Sequence, residues 1–163
     1  MRAISVVVLS CSLLLASPTF AQEEAEWSKR VFGFAGFGNE ISFSNFFVVG
    51  GGFETISPMG LGFVIDVGYL QYDAAGNYYL SMSAAAVYEF PLESRVRPYA
   101  RGGLGFIADL EDEGGHAVWN VGGGINYWFH ERVGLKAEVG YSRGRSYYRN
   151  GLVEATFGVM YRF

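Results

Sequence analysis

The strictest constraint on the fold is the alternation of side chains over the last nine residues of the chain. Counted back from the end, every second position is apolar, namely Phe163, Tyr161, Val159, Phe157 and Ala155. The positions between them are polar, small or flexible. A period of two gives a β-strand one apolar face. Because aromatic rings sit well at the headgroup level of a bilayer, the pattern predicts the closing strand of a transmembrane β-barrel.

The same alternation recurs along the chain and predicts eight strands. They lie near residues 30–37, 46–56, 61–72, 78–90, 96–107, 116–129, 133–142 and 151–163. Most of these runs reach the roughly 9–11 residues that a tilted strand needs to cross a membrane. The predicted connections are about five to eight residues long after the odd strands and about three or four after the even ones. Outer-membrane barrels combine longer outer loops with short periplasmic turns in this way, and both chain ends then fall on the periplasmic side.

The composition excludes the other way of crossing a bilayer. Half of the residues are hydrophobic and 23 are glycine, yet no apolar run after residue 21 is long enough for a membrane helix. Only helices and closed barrels pair all their backbone polar groups inside a bilayer. The predicted fold is therefore all-β: an eight-stranded, antiparallel, up-and-down transmembrane β-barrel.

The first 21 residues have the layout of a cleavable secretory signal. Arg2 precedes an apolar run over residues 3–16, and small residues occupy the positions before a cut after Ala21. This divides the chain into a signal peptide, 1–21, and one barrel domain, 22–163. A membrane anchor is the alternative, but the run is shorter than the roughly 20 residues a span needs. A lipoprotein signal ending at Cys11 is a weaker alternative, and cleavage after Ala21 leaves no cysteine for a disulfide.

Nine charged residues share the strand face that carries most of the glycines. They are Glu54, Asp66, Glu89, Arg97, Arg101, Lys136, Glu138, Glu154 and Arg162. In a membrane barrel these five acids and four bases face the lumen as an ion-pair network, whereas a soluble lipocalin-like barrel would turn them outward. The signal peptide and the aromatic strand ends favour the membrane barrel. Since eight strands enclose just enough space for side chains, a sealed lumen is predicted over a small pore.

The chain resembles a known family at this point. The eight-strand pattern, the glycine-rich strands and the terminal Phe157-x-Val159-x-Tyr161-x-Phe163 are similar to the small outer-membrane β-barrel proteins of Gram-negative bacteria, of the OmpA transmembrane domain, OmpX and opacity-protein kind. The resemblance implies a location in the bacterial outer membrane, contact with its lipid and lipopolysaccharide, and recognition of the last strand by the barrel-assembly machinery. It implies little about activity, because such barrels include adhesins, structural proteins and enzymes.

Catalytic and metal sites are not predicted. A similar family of lipid A deacylases uses His, Ser and Glu near the barrel end, and Ser142 and Glu154 are present here, but a serine nucleophile needs a base within reach. His116 and His130 lie elsewhere in the chain. A lipid A-modifying enzyme therefore stays an alternative. The acidic stretch Asp109, Glu111, Asp112 and Glu113, with His116, lacks the spacing of a calcium loop, so a solvated loop is preferred to a cation site. No cofactor is expected.

The last loop is the best candidate for a binding surface. Arg143, Arg145 and Arg149 are interleaved with Tyr147 and Tyr148. Guanidinium groups suit bidentate contacts with phosphate, so we expect this loop to hold lipopolysaccharide or a sugar-rich host surface. A solvated loop with interface aromatics is the alternative. The net charge of −4 argues against nucleic acid. The sequence thus predicts a monomeric, non-enzymatic barrel with a structural or surface-interaction role.

Overall fold

The chain folds into eight antiparallel strands that close into a single barrel. A computed structural model describes residues 26–41, 45–72, 78–110, 114–144 and 151–163, so the predicted signal peptide lies outside the described residues. The strands are β1 (Ser28–Glu40), β2 (Asn45–Ile56), β3 (Leu61–Tyr72), β4 (Tyr78–Glu89), β5 (Val96–Asp109), β6 (Gly115–Trp128), β7 (Val133–Gly144) and β8 (Leu152–Arg162). Each pairs with its sequence neighbours, and β1 pairs with β8 to close the sheet. In the described ranges no helix is long and apolar enough to cross a membrane.

The predicted fold class is confirmed, and most strand bounds agree with the alternation. β1 is the exception, because it is longer at both ends than the predicted 30–37. At its far end Asn39 pairs in register with Asn45, and the Asn39 side-chain amide donates a hydrogen bond of 2.9 Å to the Asn45 side chain. Polar residues can continue a strand where it leaves the membrane, and this is what hides the end of β1 in the sequence.

The predicted difference in connection length is wrong in two places. The β1–β2 connection comprises only residues 41–44, because β1 and β2 extend into the region assigned to a loop. The β4–β5 connection comprises residues 90–95, longer than a tight turn, since β4 ends at Glu89 and Pro91 cannot donate to a strand ladder. The longest connection, residues 145–151, follows β7 as expected. We call the end of the barrel with this connection the loop end, and the end with both chain termini the turn end.

One tight turn at the turn end depends on glycine. Gly60 has a φ of +88° and donates its backbone N–H to the Ser57 carbonyl at 2.9 Å. The Gly60 carbonyl in turn accepts the Glu89 backbone N–H at 2.8 Å. Residues with a Cβ rarely adopt this left-handed conformation, so glycine fixes the turn that ties the end of β4 to the β2–β3 hairpin.

The outer surface of the barrel is apolar, which excludes the soluble alternative. Large hydrophobic side chains point outward from every strand. Among them, Leu104 is 71 % exposed and Phe157 is 70 % exposed. Within the apolar band the charged side chains of the strands point inward instead, and the exposed Lys29 and Arg143 lie near strand ends. A lipocalin-like barrel would show the reverse arrangement. An apolar band of this extent is expected to face lipid.

Aromatic rings mark both edges of the apolar band. At the loop end Phe37 contacts Phe47, Tyr69 stacks on Tyr78, and Trp119 contacts Tyr141, with ring centroids 5.5, 5.6 and 5.5 Å apart. At the turn end the outward rings include Phe53, Phe63, Tyr88, Phe90, Tyr161 and Phe163. Aromatic girdles at both interfaces are typical of transmembrane barrels.

The lumen is filled by side chains in layers. A buried apolar cluster occupies its loop end; it consists of Phe46, Val48, Leu70, Tyr72, Tyr79, Ile107, Val118 and Leu152. Charged residues fill the middle and the turn half, where they pack among Phe32, Val64, Ala85, Trp128 and Met160. The lumen is therefore a packed core.

Candidate functional site

The most deeply buried polar side chains among the described residues form an ion cluster in the turn half of the lumen, which we call the turn-half cluster (Arg30, Glu54, Glu89, Asn126 and Lys136). The Arg30 guanidinium binds both oxygens of Glu89, at 2.6 and 2.8 Å, and one oxygen of Glu54 at 3.1 Å. Lys136 Nζ binds the other oxygen of Glu54 at 2.7 Å. The Asn126 side-chain amide donates to Glu89 at 2.7 Å. Each carboxylate thus has at least two partners.

Burial makes this cluster a strong constraint. Arg30, Glu54 and Glu89 are between 1 % and 3 % exposed. Bidentate, charge-assisted hydrogen bonds are among the strongest in proteins. Removing one partner from such a cluster leaves an uncompensated charge, which costs about 3–5 kcal/mol. The cluster therefore holds β1, β2, β4, β6 and β7 together across the lumen.

Aromatic rings complete the environment of the buried cations. Lys136 Nζ lies 4.5 Å from the ring centroids of both Phe32 and Tyr99. The Arg30 guanidinium carbon lies 5.0 Å from the Trp128 ring. A cation over a ring face is attracted to it, more so when water is excluded. Phe32 and Trp128 thus lie in the lumen, where their rings stabilise the buried cations Lys136 and Arg30.

A second group, the middle cluster (Asp66, Ser83, Tyr99, Arg101 and Glu138), lies next along the lumen. Arg101 pairs with Asp66 at 2.9 Å and with Glu138 at 3.4 Å, and it donates to the Ser83 hydroxyl at 3.0 Å. The Ser83 hydroxyl donates to Asp66 at 2.9 Å. The Tyr99 hydroxyl donates to Glu138 at 2.6 Å. One guanidinium here serves two carboxylates.

Glu154 lies on the loop side of the middle cluster and is less well satisfied. Among the described residues it has no hydrogen-bond or ion-pair partner. A small cavity of about 50 Å³ is lined by Asp66, Glu138 and Glu154. Asn120, which is 7 % exposed, also lines it, and its side-chain oxygen has no partner. The loop half of the polar lumen is therefore acidic and loosely packed.

The structure distributes the nine predicted lumen charges unevenly. Seven take part in the two clusters or bind to them, including Arg97, whose guanidinium lies 3.4 Å from Glu89. Glu154 and Arg162 form no ion pair with the described part of the chain. Arg162 instead lies over the Trp128 ring, 4.0 Å from its centroid, at the turn end.

Sequence reasoning missed several partners in these clusters. Arg30, the central cation, was not assigned to the lumen, because β1 carries Phe32 and Phe34 on its inner face and Phe37 on its outer face. The predicted lumen set contained five acids but only four bases. This imbalance of one charge was the signal in the sequence that a further base, Arg30, faces the lumen. Tyr99 and Asn126 lie on the predicted inner face, but their hydrogen bonds join strands that are far apart in sequence.

Of the residues predicted to bind at the last loop, the structure describes only Arg143, which lies within β7. Arg143 is exposed on the outward side of β7, and its register partner on β6 is Trp119. Trp119 contacts Tyr141, so Arg143 lies at the loop-end aromatic girdle. Arg145, Tyr147, Tyr148 and Arg149 lie outside the described residues.

The histidines and the acidic loop do not form a recognisable site in the described part of the chain. His130 lies at the turn end, and neither it nor His116 lines the cavity that Ser142 and Glu154 share. Glu111, Asp112 and Glu113 lie outside the described residues. Across the described ranges, no group of three or more His, Cys, Asp or Glu side chains is arranged to hold a metal ion.

Known structures share the fold of the chain. The N-terminal β-barrel domain of Pseudomonas aeruginosa OprF is 21 % identical with a TM-score of 0.63, covering 83 % of this chain and 97 % of that one. Ail, the attachment invasion locus protein of Yersinia pestis, is 14 % identical with a TM-score of 0.61, covering 86 % and 100 %. The outer membrane enzyme PagL is 15 % identical with a TM-score of 0.57, covering 82 % and 99 %. No curated protein sequence matches the chain.

The C-terminal signature fits the same architecture. Phe157, Val159, Tyr161 and Phe163 are all exposed on the outer surface of the barrel. Together with the closed eight-stranded sheet and the apolar outer band, they agree with a family assignment that spans nearly the whole chain. The sequence model of the outer membrane protein beta-barrel domain family matches residues 7–163, and the chain belongs to that family of bacterial outer-membrane barrels.

Proposed function

We propose that this protein is a non-enzymatic, monomeric outer-membrane barrel that contacts lipopolysaccharide, or a similar anionic sugar surface, through its loop end. The observation that carries the proposal is the position of Arg143, exposed beside Trp119 and Tyr141 at the loop-end girdle. Indole and phenol rings occupy the headgroup level of a membrane, so a guanidinium beside them lies at the depth of the lipid phosphates. Arg145 and Arg149 follow within six residues of Arg143 and add positive charge to the same loop.

The filled lumen supports a role at the rims. Between the apolar cluster at the loop end and the turn-half cluster, the described residues enclose small cavities of about 50 and 30 Å³. A solute that reached the lumen would have to displace buried ion pairs, which is costly. The surfaces free to bind a partner are then the loops and the two mouths of the barrel.

One structural relative supports the chemistry of the ligand. Ail has been solved in complex with the heparin analogue sucrose octasulfate, and that structure is 15 % identical to this chain with a TM-score of 0.56. A small barrel of the same fold thus binds a polyanionic sugar. Lipopolysaccharide offers phosphates on a sugar backbone, which matches the same arginine chemistry.

The experiment is binding of the refolded barrel to lipopolysaccharide, with the triple variant Arg143→Ala/Arg145→Ala/Arg149→Ala beside it. Each basic residue near an anionic membrane surface contributes about 1 kcal/mol, so the triple variant should bind about 100-fold more weakly. A charge-matched control compares the double variant Arg143→Ala/Arg145→Ala with Lys29→Ala/Arg132→Ala, which removes two exposed cations from the turn end. Unchanged binding in the triple variant, or an equal loss in both double variants, would contradict the proposal.

The enzymatic alternative is tested separately. Neither histidine lines the cavity that holds Ser142 and Glu154, so no described histidine is positioned to activate that serine. Mass spectra of lipid A from cells with and without the protein should be the same. Loss of an acyl chain that depends on the protein would replace the binding role with catalysis.

A further inference from the structure

The turn-end mouth of the lumen carries buried hydrogen-bond donors that have no acceptor. These are Arg97 Nε, Arg162 Nε and the Trp128 indole Nε1; each atom is buried and has no hydrogen-bond partner among the described residues. Trp128 is 7 % exposed, so its indole N–H cannot bind bulk water freely. Buried polar groups are nearly always paired in native proteins. Three unpaired donors at one place therefore indicate that an acceptor from outside the chain binds there.

These three side chains line one open cavity of about 650 Å³ at the turn end. Arg95 lines the same cavity, and its backbone carbonyl accepts the Trp128 backbone N–H at 2.8 Å. The guanidinium carbon of Arg162 lies 4.0 Å from the centroid of the Trp128 ring, so the two side chains are in contact at this mouth. Three arginine side chains and the Trp128 indole thus line this cavity together.

The carboxylates nearby do not neutralise these arginines. Glu89 already binds Arg30 through both oxygens and accepts from Asn126, and its contact with Arg97 is long, at 3.4 Å. Glu93 and Glu131 also line the cavity, but they are exposed and pair with none of its arginines in the described chain. Three cations thus share the mouth with two carboxylates that are free to turn into water.

We infer that the turn-end mouth is an oxyanion-binding site that takes a carboxylate or phosphate group between Arg97, Arg162 and the indole N–H of Trp128. Planar guanidinium groups bind such anions through paired hydrogen bonds. The turn end of an outer-membrane barrel faces the periplasm. The oxyanion comes from a soluble periplasmic molecule or from the headgroup of an anionic phospholipid, because the two share this chemistry.

The test follows the environment of Trp128 in the refolded full-length barrel in lipid nanodiscs. The variant Trp27→Phe/Trp119→Phe replaces two exposed tryptophans and leaves Trp128 as the only indole. In the first arm, discs of zwitterionic lipid are titrated with sodium phosphate against sodium chloride at equal ionic strength. In the second arm, phosphatidylglycerol replaces part of the lipid and no phosphate is added. The readouts are the indole N–H chemical shift and the fluorescence of Trp128.

A saturable, phosphate-specific change in the first arm would establish a soluble oxyanion as ligand, and a change confined to the second arm would assign the site to a lipid headgroup. Arg162→Gln should weaken the response about tenfold, as expected for the loss of one charge-assisted hydrogen bond. Arg132→Gln is the matched control, because Arg132 is exposed at the same end and does not line the cavity. If Arg162→Gln does not refold, Arg97→Gln takes its place.

Three results would overturn the inference: no Trp128 response in either arm, the same response to chloride as to phosphate, or an equal loss in Arg162→Gln and Arg132→Gln. The first two need only the protein with both native arginines, so they decide the matter even if the arginine variants fail to fold. None of these results bears on lipopolysaccharide binding at the loop end.

Discussion

Buried carboxylates have different surroundings in the two halves of the polar lumen. In the turn half, Glu89 accepts hydrogen bonds from Arg30, Asn126 and Arg97 and is 3 % exposed. In the loop half, Glu154 has no partner among the described residues and lies beside a cavity. Both carboxylates face inward from strands of one barrel. Their difference is one of partners, since the turn half matches acids with bases and the loop half does not.

This difference predicts which half of the polar lumen is more sensitive to substitution. A buried cluster whose charges are all paired tolerates few changes, because any single loss leaves a charge without compensation. A loosely paired region beside a cavity can take up water and lose little when a group is removed. We therefore expect the turn half to hold the barrel closed, and the loop half to tolerate substitution.

The largest effect is expected at Glu89. In Glu89→Ala the buried Arg30 guanidinium loses its bidentate partner and keeps its ion pair with Glu54 and a hydrogen bond to the Ser28 hydroxyl, so the free energy of unfolding should fall by about 3–5 kcal/mol. Urea unfolding of the barrel in lipid vesicles, followed by tryptophan fluorescence, measures this change. A loss below about 1 kcal/mol, the range of an exposed ion pair, would break the contrast between the halves.

A smaller loss is expected at Arg101. Arg101→Met leaves Asp66 and Glu138 without their shared cation, but Ser83 and Tyr99 still donate to them and the adjacent cavity admits water. We expect the free energy of unfolding to fall by about 1–3 kcal/mol, in the range for a buried group that loses one partner. The same urea titration measures it. A loss larger than that of Glu89→Ala would place the closure of the barrel in the middle cluster instead.

The smallest effect is expected at Glu154. Glu154→Gln removes a charge that has no described partner, and the new amide can donate to the unpaired oxygen of Asn120 across the shared cavity. The free energy of unfolding should change by less than about 1 kcal/mol or rise slightly. Glu89→Gln, the same substitution in the turn half, is the matched comparison and should destabilise the barrel more. Equal destabilisation by the two variants would contradict the difference between the two halves.

Most of the fold could be predicted from the alternation of side chains, because a barrel strand has one apolar face and one polar face. The strand bounds of β3 agree with the sequence interpretation to the residue. The prediction weakened where this rule was broken locally. In β1 phenylalanines occupy both faces, since Phe32 serves as a ring under Lys136 while Phe37 joins the girdle at the loop end. An aromatic residue alone therefore does not mark the lipid side.

The pairing within the lumen could not be predicted from the sequence. Arg30 and Glu89 are 59 residues apart, and Glu54 and Lys136 are 82 apart. Which inward residues meet depends on the stagger of the strands around the barrel, and alternation fixes only the face, not the height. The same limit applies to the turn-end mouth, where Trp128 of β6 and Arg162 of β8 meet across the intervening strand β7.

We expect the paired turn-half cluster and the apolar loop-end cluster to seal the lumen. Planar-bilayer recording of the refolded barrel tests this most directly. We predict no discrete conductance steps above the lipid background for the native protein, because buried ion pairs and apolar side chains block every path through the barrel. Stable, ohmic steps at neutral pH would show an open path through these clusters and contradict the account.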